Sequence, residues 1–141
     1  MFQGAYPYRI DDKGRLKMPA EFVHPLGSTF TLTKSDSGCL WALSQEAWEN
    51  MAARLRGNTL LDEGVRMLQR WFVANAHTVS LDPQGRLIIP PLLREHAGIQ
   101  HDAVIAGVDW AVEIWSKERW DSLQKGMDPL MISELARKAG I

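Results

Sequence analysis

Two stretches of the sequence place an arginine four residues after an aspartate, with a glycine just before the arginine. IDDKGRLKMP occupies residues 10–19 and LDPQGRLIIP occupies residues 81–90. A carboxylate at the start of a tight turn accepts backbone N–H groups, and a guanidinium group presents planar donors that match a phosphate or the edge of guanine. The chemistry that these residue types allow is therefore binding of an anionic partner by arginine, with aspartate organising the turn.

The same residues also allow a structural interpretation. Arg15 and Arg86 could each form an ion pair with the aspartate four residues earlier and lock the turn. The two roles are compatible, because an arginine that is held by a carboxylate is better oriented toward a partner. Lys13 and Lys17 would ordinarily belong to a solvated face.

The two stretches belong to a longer internal repeat. Further along the chain, CLWALSQEAWENM (residues 39–51) aligns with AVEIWSKERWDSL (residues 111–123) once a single inserted residue is allowed for. The sequence therefore predicts a duplicated module, at about residues 1–55 and 75–125.

Each module predicts the same order of elements, beginning with a strand that ends at Ile10 or Leu81. A tight hairpin turn follows, in which glycine supplies the positive φ, and the short return strand alternates between two faces. Leu16 and Met18 of the first copy are predicted to point inward, as are the matching residues of the second copy, and the arginines are predicted to point outward. In the second copy Ile88 stands where the first has Lys17, which predicts a more buried strand.

Helices and a strand pair complete each module. A proline stops the return strand and opens a short helix, which in the second copy ends at Gly98 as C-cap. After the strand pair, Ser44 and Ser116 are predicted N-caps of longer helices. Between the modules, residues 60–79 predict an amphipathic helix, and residues 128–141 carry a weaker helical pattern. The apolar positions of the linking helix are Leu61, Val65, Leu68, Trp71 and Phe72.

These elements predict an α+β fold in which two swapped-hairpin β-barrel modules form a pseudo-dimer within one chain, with flanking helices. A module of about 50 residues buries little core alone, and covalent linkage makes its association with a second module intramolecular. The two turns are expected at exposed tips.

Composition bounds the possible partners. The net charge is −1, so bulk charge does not favour nucleic acid. Residues 9–19 nevertheless carry four basic side chains against two acidic ones, whereas residues 81–90 carry one of each. A surplus of this size binds duplex DNA weakly, and several aligned copies would raise the avidity. We expect a cytosolic protein, because Cys39 has no second cysteine, no apolar run reaches the ~20 residues of a membrane span, and the start does not resemble a signal peptide.

The sequence does not contain the motifs of the common enzyme classes. Its four histidines do not have metal-ligand spacing, and there is neither a nucleophile elbow nor a phosphate loop. We therefore expect no enzymatic activity, no metal and no cofactor. Glu113 is expected to fix its strand, and the six tryptophans are expected in the core and at subunit interfaces. Arg66 and Arg70 could lie on solvated helix surface or pair with acids of a neighbouring subunit.

Five segments, taken together, resemble the MraZ family: MFQG, DDKGRLKMP, GCLWAL, LDPQGRLIIPPLLREHAG and VEIW. The resemblance covers nearly the whole chain. It implies two AbrB/SpoVT-type swapped-hairpin domains and a bacterial transcriptional regulator in the cytoplasm, associated with the nucleoid. Such a regulator binds repeated DNA boxes upstream of a cell-division and cell-wall operon that includes its own gene, and it assembles into a homo-oligomeric ring. The resemblance implies no small-molecule substrate and no membrane partner.

The resemblance also implies functional residues. The implied DNA contacts are Lys13, Arg15, Lys17, Gln84 and Arg86, and the residues that support the turns are Asp11, Gly14, Asp82 and Gly85. The sequence departs from the family pattern at Val23, where members often carry a basic residue. Because Gln84 replaces Lys13 and Ile88 replaces Lys17, the second turn is expected to contribute less.

The predicted domains are residues 5–47 and 76–119, with linking helices at 48–75 and a C-terminal helical tail at 120–141. An alternative function is a protein-interaction module of antitoxin type. Antitoxins usually carry a long charged tail, and the last residues, DPLMISELARKAGI, offer little of that.

Overall fold

The chain folds into short strands and helices whose order repeats. The computed structural model describes residues 1–57 and 61–141; Leu60, with which the predicted linking helix begins, lies outside these residues. The strands are β1 (Phe2–Arg9), β2 (Arg15–Lys17), β3 (Thr29–Lys34), β4 (Leu40–Leu43), β5 (His77–Ser80), β6 (Arg86–Ile88), β7 (Asp102–Asp109) and β8 (Val112–Ser116). The helices are α1 (Ala20–Leu26), α2 (Gln45–Arg56), α3 (Glu63–Leu68), α4 (Pro91–Ala97), α5 (Lys117–Gly126) and α6 (Pro129–Lys138), and a π-helical segment (Gln69–Val73) continues α3.

The two copies of the repeat exchange their first strands. Within the described residues, six strands form an antiparallel sheet in the order β1-β7-β8-β4-β3-β5, with β1 and β5 at its edges. β1 of the first copy pairs with β7 of the second, and β5 of the second copy pairs with β3 of the first. β4 and β8 pair at the centre. This exchange confirms the predicted duplicated α+β fold and its pseudo-twofold arrangement.

The return strands also pair across the two copies. Each turn closes locally, with the Gly14 N–H donating to the Asp11 carbonyl at 3.0 Å and the Gly85 N–H donating to the Asp82 carbonyl at 2.9 Å. Both glycines have φ +76°, as predicted. β2 then pairs with β6 as a separate two-stranded ribbon. The repeat in the sequence does not reveal that β2 pairs with β6, because both copies contain a similar return strand.

The ribbon carries its apolar residues inward. Leu16 and Leu87 are opposite each other in the register and are 0% and 1% exposed. Met18 is buried as well, whereas Lys17 is exposed, as the alternation predicts. The prediction for Ile88 is wrong, since this side chain is 61% exposed. Its place in the alternation faces outward, and an apolar residue type does not change that direction.

The predicted helix caps are confirmed. Ser44 Oγ accepts a hydrogen bond from the Ala47 N–H at 3.2 Å, and Ser116 Oγ accepts one from the Arg119 N–H at 3.1 Å. Gly98 closes α4 in the left-handed conformation. Such capping residues predict helix ends well, because they form hydrogen bonds with backbone groups that have no partner within the helix.

The linking helix is shorter than predicted. It begins at Glu63 after the Asp62 cap and ends with the π-helical segment at Val73, whereas the last residues of the predicted helix form β5. Pairing of β5 with β3 supplies backbone hydrogen bonds that outweigh the local helical pattern. Within this helix, Arg66 and Arg70 both pair with Glu63.

The apolar face of the linking helix is only partly covered. Val65 and Phe72 are half-buried, whereas Leu61, Leu68 and Trp71 are exposed. The C-terminal helix α6 is exposed at every position except a half-buried Ala136. Among the described residues, no helix combines the length and the apolar character needed to cross a membrane.

Glu113 fixes the two central strands, as predicted. Its carboxylate accepts hydrogen bonds from the indole of Trp41 on β4 at 3.1 Å and from the indole of Trp115 on β8 at 3.0 Å. Trp115 lies in a second core cluster with Cys39, whose thiol has its pKa raised to about 12 by burial. Trp110 remains about half exposed.

The exchange of β1 generates a test at Gly107 on β7. A Cβ at this position would lie 2.5 Å from the Phe2 carbonyl carbon and would also clash with the Gln3 backbone nitrogen. We expect Gly107→Ala to force β1 away from β7 and to lower the free energy of unfolding by about 1–3 kcal/mol, measured by chemical denaturation. Gly126→Ala is the control, because a Cβ added at this position in α5 would meet no described atom within 4 Å. Equal stability of the two variants would contradict the β1–β7 pairing.

Candidate nucleic-acid interface

Asp11 builds the first loop around its own carboxylate. We call residues 11–15 the Asp11 loop. Asp11 Oδ1 accepts the backbone N–H groups of Lys13 and Arg15 at 2.9 and 2.8 Å, and Oδ2 accepts Arg15 Nε at 2.6 Å. One carboxylate thus holds the turn and orients the guanidinium group.

Asp82 builds the second loop in the same way. In the Asp82 loop, residues 82–86, Oδ1 accepts the backbone N–H groups of Gln84 and Arg86, both at 2.9 Å. Oδ2 accepts Arg86 Nε, also at 2.9 Å. The structural interpretation of both arginines, an ion pair with the preceding aspartate, is therefore confirmed.

These contacts keep both carboxylates ionised. The backbone hydrogen bond from Arg15 is the main cause that lowers the pKa of Asp11 below its ordinary value of 3.8, and partial desolvation opposes it. The backbone hydrogen bond from Arg86 lowers the pKa of Asp82 in the same manner. An aspartate that is ionised at neutral pH gives the arginine of each loop a charged partner.

The β2–β6 pairing joins the two loops into one surface. In the register Lys17 lies opposite Arg86, and Arg15 lies opposite Ile88. Because Leu16 and Leu87 occupy the buried side, these four side chains share the other side, which we call the outer face.

The two loops also contact each other electrostatically. Arg86 Nη1 lies 4.0 Å from Asp11 Oδ2, so the second arginine reaches the carboxylate of the first loop. The second loop was expected to contribute less because it has no lysines of its own. The structure places Lys17 of the first copy directly across from Arg86, so one lysine adjoins the second arginine, and the smaller contribution of this loop stays a prediction.

The loop tips carry the remaining predicted contacts. Lys13 and Gln84 are exposed, one in each loop. Gln84 Oε1 accepts a hydrogen bond from Arg86 Nη2 at 3.3 Å, so its amide group joins the arginine of its own loop. All five predicted contact residues therefore lie in the outer face or in the loops that adjoin it.

Sequence reasoning missed Arg94 on α4. A Cβ built on Gly14 would lie 3.4 Å from Arg94 Nη1, so this guanidinium group borders the Asp11 loop of the other copy. Its Nε and Nη2 groups donate to the carbonyls of Ile99 and Gln100 at 2.9 and 2.7 Å. Arg94 occupies the position in the second copy that Val23 occupies in the first, so the strand exchange supplies the Asp11 loop with a basic residue from the second copy.

The charge of this surface is modest. The two loops and the ribbon contain four basic side chains against three acidic ones, and two of the acids hold arginines. Among residues 1–57 and 61–141, no three histidine, cysteine or acidic side chains form a cluster that could hold a metal ion. The arrangement can donate hydrogen bonds to an extended anionic surface, and one copy alone offers few phosphate contacts.

Comparison with known proteins agrees with the repeat. The family model described as "MraZ protein, putative antitoxin-like" matches residues 1–71 and again residues 72–137. A protein of Acetivibrio thermocellus named "Transcriptional regulator MraZ" is 42% identical over 138 residues, which are 98% of this chain and 96% of that protein. Proteins of the same name from a Thermoanaerobacter species and from Heliobacterium modesticaldum are 43% identical over 128 residues and 40% identical over 138 residues. These alignments cover 91% and 98% of this chain, and 90% and 96% of the respective relatives.

The lowered pKa of Asp11 generates a prediction about pH. A carboxyl group whose folded-state pKa is depressed stabilises the fold above its unfolded pKa and loses that contribution as pH falls through the folded value. We expect Asp11→Asn to lower the melting temperature by a few degrees at pH 7, and we expect this difference to shrink below about pH 3.8. Thermal melts followed by circular dichroism at several pH values measure it.

Asp12→Asn is the matched control, because the neighbouring Asp12 side chain is exposed. It should melt close to the unsubstituted protein throughout. A deficit of Asp11→Asn that stays constant from pH 7 to pH 3 would contradict the role given to the Asp11 carboxylate.

Proposed function

Since the chain belongs to the MraZ family, whose members are regulators of transcription rather than enzymes, we propose that it binds double-stranded DNA sequence-specifically through the outer face and its two loops. Its target is a set of repeated boxes upstream of a cell-division and cell-wall operon that includes its own gene. The protein acts in the cytoplasm, in association with the nucleoid. The observation that carries the proposal is the β2–β6 register, which brings Arg15, Lys17 and Arg86 onto one face.

The ribbon has the right form for the major groove. A two-stranded antiparallel ribbon fits the width of that groove, where an arginine can donate two hydrogen bonds to guanine. Asp11 holds Arg15 through Nε, and among the described residues the Nη groups of Arg15 have no hydrogen-bond acceptor. Those two groups form the edge that would meet the base. The aspartate thus orients the arginine without occupying its recognition edge.

The lysines and the loop tips serve the phosphates. Lys13 and Lys17 are exposed and lie on either side of Arg15 in sequence. Their contacts position the ribbon but carry little sequence information. With so few cations per chain, useful affinity requires several copies that engage repeated boxes together, because linked weak contacts gain from effective concentration.

We therefore propose a homo-oligomeric ring. Its support is the apolar surface that one chain leaves uncovered, including most of α6 and the outer side of the linking helix. A helix of ten residues is marginal in water unless it packs against something. A second copy of the chain is the occupant that we assign to the apolar side of α6.

The domain division stays part of the proposal. Residues 5–47 and 76–119 are the two DNA-binding domains, residues 48–75 link them, and residues 120–141 form the tail. The antitoxin-like wording of the family model favours a protein-interaction function as the second candidate.

Loss of Arg15 tests the function directly. We expect Arg15→Ala to weaken specific binding at least tenfold in a gel-shift assay with DNA from upstream of the protein's own gene, since one base contact is worth about 1–3 kcal/mol and the loss recurs in every subunit. The melting temperature and the oligomer mass should change little, because Arg15 faces away from the buried Leu16, so its removal opens no cavity, and Asp11 keeps Arg86 nearby.

Arg56→Ala is the matched control. Arg56 also pairs with an acid, Glu49, but it lies on α2 outside the ribbon. It should bind DNA as the unsubstituted protein does. If Arg15→Ala instead breaks the oligomer while the protein still binds DNA, the arginine is a structural clamp and the proposed interface is wrong.

The salt dependence of the same assay separates DNA binding from a protein-interaction function. Affinity should fall steeply between low and physiological salt as counterion release stops favouring the complex. Failure of the upstream DNA to shift at any salt concentration would favour the second candidate.

The ring generates a prediction about mass. Light scattering at micromolar concentration should report a multiple of the 15.9 kDa chain. We expect the double substitution Met131→Ser and Leu135→Ser, four residues apart on one side of α6, to lower that mass. Ser133→Ala on the same helix is the control, and an unsubstituted protein of one chain's mass would refute the oligomer.

A further inference from the structure

Ile88 is an apolar side chain that shares the outer face with Arg15, Lys17 and Arg86. It is 61% exposed and lies directly opposite Arg15 in the ribbon. Arg86 lies two residues earlier on the same strand and therefore points to the same side. The neighbours of Ile88 in sequence, Leu87 and Ile89, are both buried and supply the core contacts of this strand. The isoleucine is thus not needed for packing in the described chain.

The repeat makes this residue more informative. The matching position of the first copy is Lys17, which is also exposed. The two copies share aspartate, glycine, arginine and leucine around this position. They differ at the residue that follows the leucine, which is Lys17 in the first copy and Ile88 in the second. One half of the outer face therefore ends in an ammonium group, and the other half ends in a branched aliphatic group.

The major groove contains a partner for an aliphatic group. Thymine carries a C5-methyl group there, and apolar side chains recognise thymine by contact with it. Opposite residues in an antiparallel pair have Cβ atoms about 4.5–5.5 Å apart, and base pairs follow one another at about 3.4 Å along a strand. A side chain opposite Arg15 therefore reaches the base pair one or two steps away from the one that Arg15 contacts.

We propose that Ile88 packs on the C5-methyl group of a thymine one or two base pairs from the guanine contacted by Arg15, and so determines part of the DNA sequence preference. The inference rests on the proposed function, because it assigns a role within the same interface. Lys17, at the matching position of the first copy, contacts a phosphate. The two halves of the outer face then read different bases, and the recognised box has no twofold symmetry.

The charges around Ile88 favour DNA over a protein partner. Arg15 lies opposite, Arg86 lies on the same strand and Lys17 lies across from Arg86. Arg15 and Arg86 are paired with aspartates, but among the described residues Lys17 has no acidic partner, so an apolar protein surface that covered Ile88 and its neighbours would desolvate an unpaired ammonium group. The major groove contains the thymine methyl group between two phosphate backbones. This arrangement is complementary to Ile88 and the basic side chains around it.

The test replaces thymine by uracil, which keeps the hydrogen-bonding groups of thymine and has no methyl group. DNA from upstream of the protein's own gene is amplified with either dTTP or dUTP, and binding to the unsubstituted protein and to Ile88→Ala is measured by fluorescence anisotropy. We expect the unsubstituted protein to bind the uracil DNA about fourfold more weakly per contacted methyl group. Ile88→Ala should bind thymine DNA more weakly by a similar factor and should not distinguish the two DNAs.

Leu92→Ala is the control for loss of an exposed apolar side chain outside the outer face. It should keep the preference for thymine DNA. Equal binding of both DNAs by the unsubstituted protein would overturn the inference and leave the proposed function standing, and so would a full thymine preference in Ile88→Ala. A change in oligomer mass in Ile88→Ala would overturn it as well, by making Ile88 a subunit contact. Failure of the unsubstituted protein to bind either DNA would instead refute the proposed function itself.

Discussion

Burial of Leu16 against Leu87 is the constraint on which the candidate interface depends. These residues face each other in the register of β2 and β6, and both are almost fully excluded from solvent. Since side chains alternate along a strand, burial of the two leucines obliges the residues on either side of each to face outward. The half-buried arginines face outward because the leucines between the copies are buried. The core and the interface are thus two sides of one short ribbon.

The aspartates impose a compromise on that interface. Each carboxylate cancels a positive charge, which reduces the attraction to phosphate, and each also fixes a guanidinium group that would otherwise sample many rotamers. The arrangement favours orientation over raw charge. A surface of this kind gains specificity from geometry and must obtain its affinity from the number of surfaces that act together.

The local features of the fold and the pseudo-twofold association of the two copies could be predicted from the sequence, whereas the individual strand partners and their register could not. The turn glycines and the capping serines Ser44 and Ser116 follow from backbone requirements that involve only a few neighbouring residues. The pairing of β2 with β6 could not be deduced from the repeat. The two strands have similar sequences, so the sequence does not show whether each pairs within its own copy or with the other copy. The same crossover carries Arg94 to the Asp11 loop, and no local pattern reveals that neighbour. Residues 77–79 lie at the end of the predicted linking helix, whereas in the structure they belong to β5, whose pairing with β3 supplies backbone hydrogen bonds.

The exchange of strands within one chain has a consequence for how the interface can vary. In a dimer of identical subunits, any substitution in the ribbon changes both halves at once, so the two halves stay identical. Here each half is encoded separately, while β1 and β5 remain committed to the opposite copy's sheet strands. The strand pairing of each copy therefore depends on the other copy, which keeps the two backbones similar. Outward-facing residues such as Lys17 and Ile88 take no part in the core and can differ between the copies. Because both modules belong to one chain, the two halves of the outer face can carry different side chains at matching positions.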